Sequence, residues 1–550
     1  MNPAADATST PGELGEPGDP ADTGPPRPDV LVVGAGMTGV NQAYRLLEEG
    51  FTVEVVEAGD GVGGTWFWNR YPGSRFDSES YTYGFLFSEE LFDEWVWSEH
   101  FAGQPEIERY VNHVVDKFDL RRHITFGVRV TAAQWDGESC TWAVTLDDGT
   151  VRRARHLIAA TGVLSVPYLP DIPGIDGFAG VAHHTGRWPA EPVDFTGKRV
   201  AIVGTSSSGV QVLPVVAPVA ESVTVYQRTA NWCTPLNNSP ITDEEQAQLR
   251  ADFAQLKQIL DTSPHGFHHT AVEDTALDAS AEEREAFFER VWSSPGFRKL
   301  TSNYADVLLD PEANELWCAF IAAKIRSIVD DPVAAEALIP TDHRYAQKRP
   351  PFVAGYFEAF NLPNVELVDL RATPMVRVTR TGIETTDGER PFDVIVWATG
   401  FDFGTGALMR LGVRAGDHVL TDDWADGPAT WAGVQCAGFP NFFFPGGPHA
   451  AAGNNPRYNS DQVEFVTDLL CAARAAGETR IELDPAAEQR WTAMVDRGAQ
   501  SSAFGSDNYY FGSNIPGKPH RLLLNASGRP KLLKTFAESR AHDFPEFHRS

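Results

Sequence analysis

Two glycine-rich turns carry the first chemical signal in this sequence. The segment DVLVVGAGMTG starts at Asp29 and places Gly34, Gly36 and Gly39 between an apolar run and a helix-compatible stretch. A second apolar run then ends at Glu57. Glycines permit a tight turn and the approach of a pyrophosphate, the helix N-terminus favours its charge, and a carboxylate binds ribose hydroxyls. The pattern predicts a dinucleotide-binding unit.

A second turn repeats the plan with different charges. KRVAIVGTSSSG runs through Gly204 to Gly209, with Ser206 in place of the middle glycine, and the following strand ends at Arg228. A guanidinium suits the 2′-phosphate of NADP, whereas the carboxylate of Glu57 suits an unphosphorylated ribose, as in FAD. We predict FAD at the first turn and NADP at the second. The Ser206 side chain is expected to crowd the pyrophosphate and to weaken or shift NADP binding; an alternative is a second unit without a functional site.

Composition limits the class of protein. The chain has 550 residues, 42% of them hydrophobic and 22% charged, and lacks a long apolar stretch, which predicts a soluble enzyme-sized protein without a membrane span. A formal net charge of −30 disfavours nucleic acid as a partner. Five scattered cysteines without CxxC or metal-ligand spacing indicate a cytoplasmic protein without a metal site.

Two longer motifs lie around these turns, and together they resemble the type I Baeyer–Villiger monooxygenases. The family fingerprint FxGxxxHxxxWP is filled here by Phe178, Gly180, His184, Trp188 and Pro189. A second fingerprint, [AG]GxWxxxx[FY]P[GM]xxxD, is filled by Gly63, Gly64, Trp66, Tyr71, Pro72, Gly73 and Asp77. The first motif looks like the linker between the FAD and NADP domains, which the family ties to domain movement.

The resemblance implies an activity. Such enzymes use FAD, NADPH and O2 to insert one oxygen atom next to a ketone carbonyl, through a C4a-peroxyflavin, and give a lactone or ester. The stretches QRTANWCTPLNN and GPHAAAGNNPRYNSDQ look most like the members that act on large cyclic or polycyclic ketones. An open alternative is a related flavin monooxygenase that oxygenates nitrogen or sulfur, although its linker lacks the Trp-Pro ending found here.

The same resemblance assigns site residues. Arg349 would be the active-site arginine, oriented by Asp77, while Lys348, Arg228 and Thr229 would hold the 2′-phosphate. The implied FAD contacts are Thr65, Trp66, Tyr83, Val130 and Asn455, and the implied contacts to the NADP turn are Gly204, Thr205, Ser207, Gly209 and Gln211. Three residues depart from the family pattern: Phe76 for a common cysteine, Ser206 for glycine, and Tyr509 for a tryptophan on a loop that closes over NADP.

The expected fold is α/β, with two Rossmann-type dinucleotide-binding domains of the flavin monooxygenase kind and a helical insertion. Residues 1–28 read as a disordered tail, 29–165 plus 395–550 as the FAD domain, 166–234 plus 344–394 as the NADP domain, and 235–343 as the insertion, which would help to wall the substrate pocket.

The sequence disfavours three other interpretations. A flavin disulfide reductase would need paired cysteines after the first turn, and these are absent from the sequence. A redox-sensing binding protein would not need Asp77 and Arg349. The HGFHH segment at 265–269 lacks acidic or cysteine partners at ligand spacing, so a loop is expected there rather than a metal site.

Overall fold

Each glycine-rich turn follows a buried apolar strand at the centre of a parallel sheet. The computed structural model describes residues 27–450, 453–500, 505 and 507–550, so the predicted tail at 1–28 lies outside them apart from its last two residues. The strands are β1 (Val30–Val33), β2 (Val53–Val56), β3 (Ile124–Thr125), β4 (Val130–Asp136), β5 (Thr141–Leu146), β6 (Val151–Ala154), β7 (His156–Ala159), β8 (Val181–His184), β9 (Arg199–Val203), β10 (Ser222–Gln227), β11 (Thr234–Pro235), β12 (Phe352–Val353), β13 (Val365–Asp369), β14 (Met375–Val378), β15 (Gly382–Thr385), β16 (Gly388–Pro391), β17 (Val394–Trp397), β18 (Val413–Ala415), β19 (His418–Val419), β20 (Phe442–Phe443), β21 (Ile481–Leu483) and β22 (Phe547–Arg549).

The helices connect and cover these strands. They are α1 (Met37–Glu48), α2 (Thr65–Trp68), α3 (Ser80–Tyr83), α4 (Glu89–Glu94), α5 (Gln104–Lys117), α6 (Ser207–Val216), α7 (Asp243–Ala251), α8 (Phe253–Thr262), α9 (Ala281–Ser293), α10 (Arg298–Thr301), α11 (Pro311–Ile328), α12 (Pro332–Ala337), α13 (Tyr356–Ala359), α14 (Leu420–Asp423), α15 (Asn455–Ala476), α16 (Pro485–Gln500) and α17 (Gly528–Ala541). Within the described residues, no helix combines the length and the apolar character needed to cross a membrane.

The first unit is built on a parallel sheet with the order β20-β7-β1-β2-β3. All four residues of β1 are buried, as expected for a central parallel strand covered on both faces. Helix α1 follows the turn and packs on α15, where Gln42 donates a hydrogen bond to Thr467 at 2.9 Å. A second sheet, β19-β18-β4-β5-β6, lies behind it and shares a hydrophobic core with β1.

The second unit has the sheet order β13-β10-β9-β17-β8, again entirely parallel. Strand β17 pairs with β9, with Val394 opposite Val200 and Trp397 opposite Val203. The boundary predicted between 394 and 395 therefore cuts through β17, and the last three residues of this strand lie beyond it. The second unit extends to Trp397, because this fully buried apolar strand completes its sheet.

The segment between these parts of the second unit is helical. Helices α7 to α12 and the loops between them occupy residues 243–337. The chain leaves and rejoins the second unit at one place, where Thr234 lies opposite Phe352 in a short parallel pair. An insertion whose ends lie side by side leaves the sheet of its host undisturbed. Its position brings α10 and the HGFHH segment towards the residues that follow β11.

The fingerprint linker forms the edge strand β8 and then contacts the first unit. His184 pairs with Trp397 of β17, and its Nδ1 accepts a hydrogen bond from the Gly186 amide at 2.9 Å. The Trp188 amide donates to the Trp68 carbonyl at 3.2 Å. The linker thus belongs to the second sheet and touches the end of α2 in the first unit.

His184 should make stability depend on pH. Burial lowers the pKa of His184 to about 4, against about 6.5 for the unfolded chain. Between these values the unfolded chain binds a proton that the folded chain does not, so the free energy of unfolding falls as pH falls through this window. We expect His184→Asn, whose amide oxygen can still accept from Gly186, to lose less stability than the parent between about pH 7 and about pH 4.5 in denaturant titrations.

The matched control is His548→Asn, because the His548 side chain is 74% exposed. This variant should keep the parental pH dependence. An equal loss of stability in His184→Asn and in the parent would contradict the assignment of this pH dependence to His184.

Candidate active site

The first glycine turn is closed so tightly that side chains do not fit. Gly34 has φ +105°, and a Cβ there would lie 2.6 Å from the carbonyl oxygen of Ala160. A Cβ on Gly39 would lie 1.8 Å from the Gly34 oxygen, and one on Gly64 would lie 2.9 Å from Cα of Gly36. Three backbone segments therefore meet without side chains between them. This bare cradle at the N-terminus of α1 fits a pyrophosphate.

Glu57 lies at the end of β2 beside this cradle. Its carboxylate accepts hydrogen bonds from the amides of Ala35 and Gly59, both at 2.7 Å. Burial raises the pKa of Glu57, and the amide bonds act in the opposite direction. The carboxylate is thus fixed next to the turn, where its remaining lone pairs could accept from ribose hydroxyls, as predicted for FAD.

The second turn repeats this backbone. Gly204 has φ +110°, a Cβ on it would lie 2.4 Å from the Ala398 oxygen, and a Cβ on Gly209 would lie 2.0 Å from the Gly204 oxygen. Ser206 has an ordinary φ of −93° and is exposed. Ser206 thus fits the backbone of the turn without strain, and the crowding expected against a bound pyrophosphate stays a prediction.

The residues predicted for the 2′-phosphate gather at the ends of β10 and β13. Arg228 is exposed, Thr229 accepts from Arg371 at 3.3 Å, and the Thr229 carbonyl accepts from Thr205 at 2.9 Å. Burial lowers the pKa of Lys348, and the charges of Arg371 and Arg228 lower it further against the opposing effect of Asp342. The cluster is a local concentration of positive charge in a strongly acidic protein.

Arg371 and its partner Asp342 were missed by the sequence analysis. Arg371 follows β13, forms an ion pair with Asp342, and reaches Thr229 because β13 lies next to β10 in the sheet. The signal that could have found it is a cation two residues after a short strand of the second unit. Its proximity to Arg228 follows from strand order, which the sequence does not display.

Gln211 lies on α6 but its side chain contacts the first unit. It accepts from the Tyr71 hydroxyl at 2.8 Å and donates to the Arg75 carbonyl at 3.0 Å. The loop at Gly73 packs directly on the Gln211 carbonyl, since a Cβ on Gly73 would lie 2.3 Å from it. Gln211 is thus held between the two units. Ser207, another residue predicted to contact NADP, is the first residue of α6.

Asp77 and Arg349, distant in sequence, form an ion pair. A carboxylate oxygen of Asp77 accepts from Nη2 of Arg349, and Nη1 donates to the Pro350 carbonyl at 2.9 Å. The guanidinium lies 4.8 Å from the ring centre of Phe297 and 5.5 Å from that of Phe352. Burial opposes the charge of Arg349, but Asp77 outweighs it and raises the pKa of the guanidinium. A 26% exposed side chain leaves this cation accessible to a substrate.

Two tyrosines lie over the segment that carries Arg349. The rings of Tyr509 and Tyr510 are 4.3 Å apart, and both lie against Phe403. The preceding Asn508 donates to the Gln347 carbonyl at 2.9 Å. Burial raises the pKa of Tyr509 well above its ordinary value, so its hydroxyl stays protonated. The loop that was predicted to close over NADP is thus anchored next to the ion pair.

The predicted flavin contacts differ in how far their side chains are buried. Trp66 donates to the Tyr83 hydroxyl at 3.2 Å, and Phe76 stacks on Tyr83 with ring centres 4.7 Å apart. Thr65 is exposed at the start of α2. Val130, the first residue of β4, is buried in the core between the two sheets of the first unit.

Asn455, the last of the predicted flavin contacts, is exposed at the first residue of α15. Its neighbour Asn454 is buried instead and donates to the Thr82 carbonyl at 3.1 Å. The buried amide at this point in the chain is thus that of Asn454, and the FAD contact of Asn455 stays a prediction.

The HGFHH segment has an acidic partner, contrary to the sequence expectation. Glu79 lies against it, with Oε1 3.2 Å from Nε2 of His269, and both side chains are at least 95% buried. The sequence did not show this partner because Glu79 comes from the first unit, far away in the sequence, whereas the expected loop without a metal site stays a prediction.

Comparisons with known proteins agree with this geometry. The family described as pyridine nucleotide-disulphide oxidoreductase matches residues 29–268. The chain is 43% identical to 2-oxo-Delta(3)-4,5,5-trimethylcyclopentenylacetyl-CoA monooxygenase of Pseudomonas putida, over 92% of this chain and 96% of the relative. It is 37% identical to a Baeyer–Villiger monooxygenase of Pseudooceanicola batsensis, over 91% of this chain and 92% of that one.

A solved structure shares the whole architecture. The crystal structure of OTEMO in complex with FAD and NADP has a TM-score of 0.92 and 41% identity, covering 96% of this chain and 100% of that one. These similarities confirm the predicted fold, cofactors and reaction. The chain belongs to the Baeyer–Villiger monooxygenase family and is a flavin-dependent monooxygenase that uses FAD, NADPH and O2 to convert a ketone into a lactone or ester.

Proposed function

We propose that this enzyme acts on a hydrophobic cyclic ketone and that Arg349, held by Asp77, is its catalytic arginine. The observation that carries the proposal is the ion pair itself, placed between the aromatic rings of Phe297 and Phe352. A fixed cation in an apolar surrounding favours a substrate with an apolar body and one polar oxygen.

The roles of the protein groups follow from their chemistry. Bound FAD supplies the activation of O2, with electrons from NADPH. Arg349 presents N–H groups to the negative charge that develops on the ketone oxygen, and its high pKa keeps it from acting as an acid. Asp77 fixes the direction of the guanidinium before the substrate arrives, so little reorganisation is needed during the reaction.

The apolar side chains around the site support a preference of the enzyme for a cyclic substrate. Phe101, Leu236, Phe267, Phe297 and Phe352 form one buried apolar cluster next to the guanidinium. The relative from Pseudomonas putida is named for an oxo group on a trimethylcyclopentenyl ring that also carries an acetyl-CoA group. We extend only the methyl-substituted ring ketone to this enzyme, and not the polar acetyl-CoA part.

Cofactor placement and domain roles complete the proposal. Residues 29–165 with 398–550 would hold FAD at Glu57, and residues 166–234 with 344–397 would hold NADP at Arg228, Thr229, Lys348 and Arg371. The insertion at 235–343 would wall the substrate site, since Phe267 and Phe297 come from it. The free thiols of all five cysteines support a cytoplasmic location, and the net charge of −30 supports a function without nucleic acid.

Product analysis tests the substrate class and the arginine together. With NADPH and O2, a panel from cyclohexanone through cyclododecanone and cyclopentadecanone to a steroid ketone should give at least one lactone, detected by mass spectrometry as one added oxygen atom. Arg349→Ala should keep FAD and still oxidise NADPH, yet form less than about one hundredth of the lactone, because the oxyanion loses its main stabilising group.

Arg377→Ala is the control, since Arg377 lies on β14, is 58% exposed and forms an ion pair with Glu384 of β15, and this variant should retain parental yield. Parental lactone formation by Arg349→Ala would remove Arg349 from the mechanism. Oxygenation of a thioether or an amine with no ketone converted would instead replace the proposed substrate class.

The choice of nicotinamide cofactor tests the cation cluster. We expect Arg371→Ala to raise KM for NADPH by roughly tenfold, because a charge-assisted contact to the 2′-phosphate is lost, and to leave KM for NADH nearly unchanged. Steady-state kinetics with both cofactors give this comparison, with Arg377→Ala as the matched arginine control. Equal changes for NADPH and NADH would show that Arg371 does not contact the 2′-phosphate.

A further inference from the structure

A buried cluster of one carboxylate and two imidazoles lies beside the active site. Glu79, His268 and His269 each place a potential ligand atom within 4.8 Å of the other two. Glu79 is two residues beyond Asp77, and the histidines belong to the HGFHH segment of the insertion. Neither the reaction nor the cofactor assignments use these three residues.

The tautomer of His269 is fixed by its outer partner. The Thr301 hydroxyl donates to the Phe297 carbonyl at 2.9 Å, so at 2.6 Å from Nδ1 of His269 its oxygen is the acceptor and Nδ1 carries the proton. Nε2 of a neutral His269 ring therefore presents a lone pair to Glu79. A second partner that sets the tautomer in this way is a regular feature of histidines that bind metals.

All three members of the cluster have a buried polar atom that lacks a hydrogen bond of good geometry, and Glu79 has two. Its side chain is 2% exposed, and neither carboxylate oxygen accepts a hydrogen bond of good geometry from any described residue. Its nearest basic atom is Nε2 of His269, at 3.2 Å from Oε1. A buried anion that faces a lone pair needs either a proton or a metal cation between the two groups.

We propose that Glu79, His268 and His269 bind a divalent transition metal ion of the Zn²⁺ type. Two ligands at about 2.0 to 2.1 Å from a tetrahedral ion lie about 3.3 Å apart, which matches the 3.2 Å between Glu79 and His269. Two imidazoles and one carboxylate are a donor set that Zn²⁺ accepts, with water as the fourth ligand.

Arg298 competes with such an ion. Its Nη2 lies 3.2 Å from Nε2 of His268, and an arginine can only donate in that contact. Metal binding must therefore work against one nearby positive charge, and removal of that charge should strengthen it. This dependence distinguishes a metal site from a simple ion pair between Glu79 and a protonated His269.

The ion would connect the insertion to the segment that carries Asp77. His269 stacks on Phe267 with ring centres 5.3 Å apart, Phe267 stacks on Phe297 at 4.6 Å, and the Arg349 guanidinium lies 4.8 Å from Phe297. A metal bridge from Glu79 to His269 would thus tie both partners of the active-site ion pair to one fixed point. Its role would be structural.

The test uses the FAD-loaded enzyme after treatment with a chelator. Calorimetric titration with Zn²⁺ should show one site, and Co²⁺ should give tetrahedral absorption bands at wavelengths longer than those of the flavin. Glu79→Gln and His269→Gln should weaken Zn²⁺ binding at least tenfold. His265→Gln is the control, because His265 is an exposed histidine of the same loop outside the cluster, and it should bind like the parent.

Two more variants keep the test decisive if a ligand variant folds poorly. Arg298→Met should bind Zn²⁺ more tightly than the parent, and His269→Cys should restore binding because a thiolate also ligates Zn²⁺. The proposal is overturned if the chelator-treated parent binds neither ion at millimolar concentration, or if binding is equal in the parent, Glu79→Gln and Arg298→Met.

Discussion

The Arg349–Asp77 ion pair is the interaction on which the rest of this structure depends. Asp77 lies between α2 and α3 of the first unit, whereas Arg349 follows the insertion into the second unit. The ion pair therefore forms only when the two units pack against each other in this arrangement. Gln211 holds Tyr71 from one side, and the linker residue Trp188 holds Trp68 from the other. These contacts place a cation in an aromatic surrounding, where a fixed charge acts more strongly than in water.

Two nearly identical backbone turns differ in the charge of their surroundings, and the proposed placement of the two cofactors rests on that difference. Gly34 and Gly204 share the same left-handed φ, and each lies against the carbonyl of an alanine that follows a neighbouring strand. The end of β2 adds the carboxylate of Glu57, whereas the ends of β10 and β13 add Arg228 and Arg371. In the proposed placement, the backbone would bind a pyrophosphate in both units, and these few side chains would decide which ribose can follow.

The sequence predicted what depends on local pattern and failed where strand order decides. The glycine turns, the buried strands and the helical insertion follow from periodicity and turn chemistry. The limit at residue 395 failed because a fully apolar strand can complete either sheet. Arg371 and the contact of Glu79 with the HGFHH segment escaped notice because their partners lie close only after folding. Motif resemblance reached Arg349 and Asp77, since it carries long-range information that periodicity lacks.

Ser206 stands where the first turn has Gly36, and the backbone has room for a side chain at both positions. A Cβ on Gly36 would lie 3.4 Å from Cα of Gly64, which is an ordinary van der Waals contact, and Gly36 has a φ of −77°. Ser206 is exposed, and its φ of −93° suits any L-residue. Neither turn therefore requires glycine at this middle position for its own packing, whereas the positive φ of Gly34 and of Gly204 and the carbonyl that lies against each of them do require glycine.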